Sequence, residues 1–365
     1  MDLSSVIMEA VESISSAESK RMVLGEKLRK LKQIQHSVDE REVFENKLSF
    51  PIKGIELDGR IAGVDSGFVG KNLFFLDLIL VRSVGVVFEY EQGRLKKAFY
   101  HPNFFSFPMP HLSNNALELD EFNCSKSIIR LREETRTATE VIQEFSPKYC
   151  FLDGSIIPQY ADKPRKDSKI KHIYHSLIQE FERLFETAEN KNCFLVACVE
   201  DSRGSRFASI LKEKILSKEK LSETDYLSET MDAILLDYFL DVGERSMVFR
   251  YSSEAKAHPI LSDFSEQWRD SVFCCYLKPA PLDRPLRIEF LHSKEKELSK
   301  EAEEIASIAS ALSSMHREYA FPSVLIEADL HARLKPEEVE TVSQKILDKL
   351  ANKVKLRMRR DARPF

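Results

Sequence analysis

An α/β fold, with a mixed sheet flanked by helices, is predicted for this 365-residue chain by three observations. Three apolar, strand-like segments follow one another between Arg60 and His101 with no helical stretch among them, the mark of an antiparallel meander. Beyond them, helical periodicities alternate with short buried-type strands such as Tyr149–Asp153 (YCFLD) and Cys193–Val199 (CFLVACV). Ahead of them, a long helical stretch is set off by a break at Ser49–Gly59 that holds Pro51 and two glycines. A meander first, then alternating helices and strands, is the order of a ribonuclease-H-like core carrying an N-terminal helical arm.

The arm reads as helix from about Ser4 to Leu48, because Val6, Ala10, Ile14 and later Leu24, Leu28 and Leu31 recur at helical spacing. A partner or a second copy is the expected use of such an arm. In the meander, Arg60–Gly67 (RIAGVDSG) is one strand. Leu73–Tyr90 reads as two more joined near Ser83–Gly85, and Leu95–His101 follows. Pro102–Asn115 (PNFFSFPMPHLSNN) reads as a loop with exposed aromatics. Helices are expected over Leu117–Phe145 and Ile170–Ala188, and from near Ser205, Leu227 and Leu298. Strands are expected at Ser246–Tyr251, Val272–Lys278 and Leu286–Leu291. Pro322 and Ser323 open one further helix and Pro336 another, which runs into the basic KVKLRMRRDARPF.

Composition excludes several classes. Apolar runs all fall short of the ~18–20 residues that span a bilayer. The N-terminus has no basic n-region, so neither a membrane span nor a signal peptide is expected, and a cytoplasmic protein is. Cys124, Cys150, Cys193, Cys198, Cys274 and Cys275 form no CxxC pair, which points to reduced core thiols rather than zinc or disulfides. No GxxxxGK[ST] stretch occurs, so the chain is not itself a motor ATPase. The net charge of −5 is not the basic footprint of a bulk electrostatic DNA binder, although bound divalent ions and a local basic strip can offset an acidic total.

Acids placed at the ends of apolar strands carry the chemistry. Metal-assisted phosphodiester hydrolysis needs carboxylates that converge from several elements on ions roughly 3.5–4 Å apart, and Mg²⁺ and Mn²⁺ favour oxygen ligands. Asp65 ends IAGVD and Asp153 ends YCFLD, each followed by small residues that leave room for a ligand. Either acid alone reads equally as a turn residue; the repeated construction points to a shared site. Glu134 shares a helix face with Leu131, Ala138, Val141 and Ile142, whereas Glu133 points more to solvent. Asp329 lies beside the apolar stripe of IEADLHARL, with His331 facing elsewhere. Asp201 reads as a ligand or, preferably, as the cap of the helix that follows. Asp77, inside FFLDLILV, is costly if buried without a partner.

In this order the pieces resemble the NurA nuclease family: Ile61–Gly67 (IAGVDSG), Arg132–Glu134, Leu152–Ser155 (LDGS), Glu200–Arg203 (EDSR), Asp232–Ser246 (DAILLDYFLDVGERS), Pro285–Phe290 (PLRIEF) and Phe321–Leu334 (FPSVLIEADLHARL). The resemblance implies a nuclease domain over 59–365 with C-terminal helices, preceded by an arm and linker over 1–58. It implies a homodimer that resects DNA ends as a 5′–3′ exonuclease and single-strand endonuclease, alongside a HerA-type hexameric DNA-translocating ATPase. It also implies Mn²⁺ or Mg²⁺, two ions in the mechanism expected here, held by Asp65, Glu134, Asp153 and Asp329. At Asp329 many relatives carry histidine, and at Glu200 many carry lysine. Arg203, Arg206, Arg245 and Arg287 are candidates for phosphate contacts, with an internal Arg287–Glu289 pair as the alternative for the last. Phe104–Phe107 is suited to stacking on bases or to packing on a dimer mate. The basic C-terminal run is suited to DNA, to the ATPase or simply to solvent. Two other readings stay open: a non-catalytic adaptor of a translocase, and a related enzyme acting on RNA or on junctions.

Overall fold

The computed structural model describes residues 2–350 apart from 33–34, 36–37, 39–41, 74–75, 114–116, 217–226, 228–229 and 293–295, so the basic C-terminal run lies outside the described residues. In chain order come α1 (Leu3–Leu31), β1 (Ser49–Pro51), β2 (Gly59–Asn72), β3 (Asp77–Glu91), β4 (Arg94–His101), β5 (Met109–Ser113), α2 (Leu119–Phe145), β6 (Tyr149–Asp153), α3 (Lys171–Asn190) and β7 (Phe194–Val199). Then follow α4 (Arg206–Ile210), α5 (Asp232–Phe239), β8 (Glu244–Ser246), β9 (Phe249–Arg250), α6 (Glu266–Arg269), β10 (Val272–Lys278), β11 (Leu286–Leu291), α7 (Leu298–Ser313), α8 (Ser323–Ala332) and α9 (Pro336–Leu350). They fall into two compact units: Met1–Glu56 with Cys198–Ala255 and Ser271–Pro322, and Leu57–Ala197 with Lys256–Asp270 and Ser323–Phe365.

In the second unit β2 is the central strand. Ile61, Ala62 and Val64 are buried on both of its faces, which an internal strand covered by helices requires. It pairs antiparallel with β3 from Gly59↔Tyr90 to Asn72↔Asp77, and parallel with β6 from Ile61↔Tyr149 to Val64↔Leu152. β4 and β5 both run antiparallel to β3, and the strand order is β7-β6-β2-β3-β4. Helix α2 buries Ile128, Leu131, Ala138, Val141 and Ile142, its apolar stripe. Helix α8 lies so close to β2 that a Cβ on Gly67 would stand 2.4 Å from the carbonyl oxygen of Ala332.

In the first unit, β1, β8, β10 and β11 form an antiparallel run with β9 also on β10. Leu24 and Leu28 of α1 join Phe207, Leu235, Leu236, Phe239, Phe249 and Tyr276 in its core, while Leu3, Ile7 and Ile14 at the other end of α1 are exposed. All six cysteines are free thiols, five of them buried. No helix among the described residues is long and apolar enough to cross a membrane.

Four local expectations are corrected. The arm's helix stops at Leu31 rather than Leu48, because the following chain is held by other contacts: buried Glu45 accepts from Arg245 and from the Val248 amide, and the Leu48 carbonyl accepts from Met247. The region read as two strands joined near Ser83–Gly85 is the single strand β3, fully paired with β2. Gly85 marks close packing, not a turn, since a Cβ there would meet a Val141 methyl at 2.3 Å. Part of the Pro-rich loop is strand β5, hydrogen-bonded to β3. Ser246–Tyr251 is split into β8 and β9.

Gly67→Ala forces a methyl against helix backbone that cannot swing aside. Urea unfolding should show a loss of ~1–3 kcal/mol, the usual cost of overpacking a close contact, with a site-remote Gly54→Ala as the near-neutral comparison because nothing lies within 4 Å of its Cβ position.

Candidate active site

Strands β2 and β6 are parallel and in register up to Val64↔Leu152, so Asp65 and Asp153 follow at the same level as the next residues of each strand. Neighbouring strands lie about 4.8 Å apart, and matched positions on them share a face. Asp65 is buried, 8 % exposed, and Asp153 is half-buried. After Asp153 the chain turns sharply at Gly154, whose φ of +93° is open to glycine and strained for other residues. Side chains alternate along β2, so Asp65 lies on the face of Gly67, against which α8 packs, while Ser66 faces α2.

On α2, Glu134 is buried as its spacing predicts, at 5 % exposure. Its Oε2 accepts hydrogen bonds from the Ser66 hydroxyl and, at 2.8 Å, from Arg130 Nη1. Burial pushes its pKa up to about 7; Arg130 and Ser66 oppose that rise, and the negative charge of Asp65 adds to it. Glu133 is occupied elsewhere, near Arg136 at 3.4 Å and Arg132 at 3.5 Å. Asp329 on α8 is half-exposed and accepts from Arg333 Nη2 at 3.3 Å.

All of these donors are carboxylate oxygens, which fits a hard divalent cation. Two come from matched positions on adjacent strands, Asp65 inside β2 and Asp153 at the end of β6, and the charge of Asp65 acts on the third, Glu134. Among the described residues no three acidic, histidine or cysteine side chains are gathered into a ready metal cage. Glu134 is turned to Ser66 and Arg130, and Asp329 to Arg333.

A family model, the NurA domain, matches residues 59–334. The chain belongs to the NurA family. It is similar to the NurA nuclease of Sulfolobus solfataricus at 13 % identity, over 95 % of each chain, with a TM-score of 0.60. A second crystal structure of NurA is matched at 9 % identity over 97 % of this chain and 99 % of that one, with a TM-score of 0.50. At these identities the likeness concerns the fold, an α/β core with its mixed sheet flanked by helices. A search of curated proteins finds no match.

In this member of the NurA family two of the four arginines expected at phosphates turn inward, which corrects that expectation. Arg245, 3 % exposed, makes a two-pronged pair with Glu45 at 2.7 and 2.8 Å. Arg287 is buried against Glu289 at 2.7 Å and the Tyr276 hydroxyl at 3.2 Å, the internal pair that was the alternative. Arg206 pairs with Glu42 at 2.8 Å, whereas Arg203 is exposed. Asp77 is buried and satisfied by Asn72 Nδ2 and the Leu117 amide, both at 2.9 Å. Asp201 does not cap α4; it is exposed, with Arg284 at 3.5 Å. The acid at that helix end is Asp232, which takes the Phe207 and Ala208 amides at 3.0 and 2.9 Å and whose pKa burial raises to about 6.

Sequence reasoning missed Asp232, although it stands in the DAILLDYFL stretch. It also missed Glu327, which accepts from Tyr100 at 2.8 Å and lies 3.2 Å from His331, itself packed between the Tyr100 and Phe104 rings. His331 is therefore half-buried and partnered rather than a plain surface residue. Glu327 shares α8's buried-face spacing with His331 at i+4, the signal that could have found it. Glu200 accepts from the Tyr319 hydroxyl. Phe104, Phe105 and Phe107 are exposed, as expected of that loop.

Two outcomes follow. Glu134 binds its proton more tightly folded than unfolded, so its contribution to stability is full below its ordinary pKa of 4.5 and is lost as pH rises through about 7. In EDTA, urea melts of wild type should weaken across that window, and Glu134→Gln should remove that part of the slope. Arg245→Ala strands the Glu45 carboxylate; a loss of about 3–5 kcal/mol is expected, while the salt dependence of DNA binding by still-folded protein stays unchanged.

Proposed function

We propose that the chain is a metal-dependent deoxyribonuclease that hydrolyses phosphodiesters at the Asp65–Asp153 site. The observation that carries this is the parallel register that sets Asp65, inside β2 just past its last partner on β6, beside Asp153, the last residue of β6. Family membership supports it, as does the likeness in fold to a protein described as the NurA nuclease. Two divalent cations, Mn²⁺ or Mg²⁺, supply Lewis acidity to the reaction when bound. Asp65, Asp153, Glu134 and Asp329 are the residues that hold them. The protein's own contribution is placement: β2 and β6 fix two carboxylates rigidly, α2 brings Glu134 from the opposite face, and α8 brings Asp329. Apolar packing around Asp65 and Glu134 limits competing water and strengthens each carboxylate's pull on a cation. In this reading the chain resects DNA ends as a 5′–3′ exonuclease and single-strand endonuclease, works as a homodimer and engages a HerA-type hexameric ATPase. Arg203, the exposed last residue of EDSR, is the best placed of the four for phosphate contact, since Arg245 and Arg287 are buried and Arg206 is paired with Glu42.

End-labelled single- and double-stranded DNA and matched RNA, each with Mn²⁺, Mg²⁺ or EDTA, test the reading against an Asp65→Asn variant. DNA should be cut only with metal, and the variant should lose more than the roughly 10–100-fold that an outer-shell change costs a metal site. Preferential cutting of RNA points to the related RNA-directed enzyme. No cutting with either metal, even with a HerA-type ATPase added, leaves the adaptor reading in its place.

A further inference from the structure

Arg130 and Glu134 sit one helical turn apart on α2, at i and i+4. On a helix surface this order, base before acid, is the less favourable orientation for such a pair, so helix stability is a weak reason for it. The pair is also not a surface pair: the Glu134 side chain is 6 % exposed and that of Arg130 only 23 %. The guanidinium lies 2.8 Å from Glu134 Oε2 and 3.5 Å from the Ser66 hydroxyl, with its Cζ over the Phe68 ring, 6.0 Å from the centroid. Residues 66 and 68 follow Asp65 on the same strand, β2. A fixed positive charge therefore stands at the one carboxylate of the set that α2 provides, and no three ligand-type side chains are gathered among the described residues.

We propose that Arg130 is a built-in counter-cation of the acid site, holding Glu134 when no divalent cation is bound and being displaced from it when one is. This rests on the metal-dependent reading above and adds to it a residue that sets metal affinity. A buried carboxylate without a positive partner is costly, so the arginine keeps the metal-free fold intact. The same contact has to be given up before Glu134 turns to a metal, so part of the metal's binding free energy goes into displacing it. Arg130 is thus a positioning residue, one that competes with the cation for a ligand it also protects.

Mn²⁺ alone, titrated calorimetrically into the full chain, reads this directly. Arg130→Met keeps the stem and removes the charge, and Arg130→Lys restores a charge. A charge-assisted hydrogen bond is worth enough for its loss to move affinity about tenfold, so Arg130→Met should bind Mn²⁺ about tenfold tighter, with Arg130→Lys close to wild type. In EDTA the Met variant should melt below wild type, and saturating Mn²⁺ should close that gap. Equal or weaker Mn²⁺ binding by a folded Arg130→Met, or a melting deficit that Mn²⁺ leaves unchanged, overturns the counter-cation role and leaves Arg130 as scaffold. Wild type that binds no Mn²⁺ overturns the metal-dependent reading itself, and the counter-cation role with it.

Discussion

The parallel pairing of β2 with β6 is the constraint on which the rest depends. Asp65 lies within β2, which runs on to Asn72 against β3, while Asp153 ends β6, and the parallel direction of the two strands is what sets these acids at the same level. Here the pairing ends at Val64↔Leu152 and the next residues are Asp65 and Asp153. Parallel neighbours need a crossover, and α2 is part of it, running between the meander and β6. The crossover thus brings Glu134 to the same end of the sheet. Close approach of α8 on the other face then demands a residue without a side chain at Gly67, two positions from Asp65. The site is a consequence of topology before it is one of side-chain choice.

Charge is handled differently in the two units. In the first, buried ions are closed off by one another: Arg245 by Glu45, Arg287 by Glu289 and Tyr276, Asp232 by two helix amides and the Tyr276 hydroxyl. Such networks cost desolvation and repay it through fixed geometry, so they specify a fold rather than offer groups to a ligand. In the second unit Arg82 is closed off by Glu338 in the same way, but two carboxylates also stand near one another: burial raises the pKa of Glu134, Arg130 on the same helix opposes the rise, and the charge of Asp65 adds to it.

Much of this was legible in the sequence. The acids of IAGVD and YCFLD could be read because an acid after an apolar run is rare without a purpose, although only Asp153 ends its strand, β2 running on to Asn72 against β3, and the face of Glu134 followed from helical spacing alone. The strands β6, β10 and β11 are bounded as their apolar runs indicated. What was not legible depended on partners distant in sequence. Arg245 looks like a surface arginine until Glu45, 200 residues away, is folded against it, whereas the Arg287–Glu289 pair could be read from two residues on one strand face. Gly85 reads as a turn because a glycine's local freedom is visible in sequence, whereas the Val141 methyl that excludes a Cβ is not. Glu327 was passed over because its partner Tyr100 lies on β4, 227 residues earlier.

The central claim is that Asp65, inside β2, and Asp153, at the end of β6, bind the catalytic cation. It is met most directly by crystals grown with Mn²⁺ and measured for manganese anomalous scattering. A peak at about 2.0–2.3 Å from carboxylate oxygens of both Asp65 and Asp153, the distance expected of such oxygen ligands, is the result this account predicts. Manganese bound elsewhere, with Asp65 and Asp153 retaining their protein contacts, would contradict it.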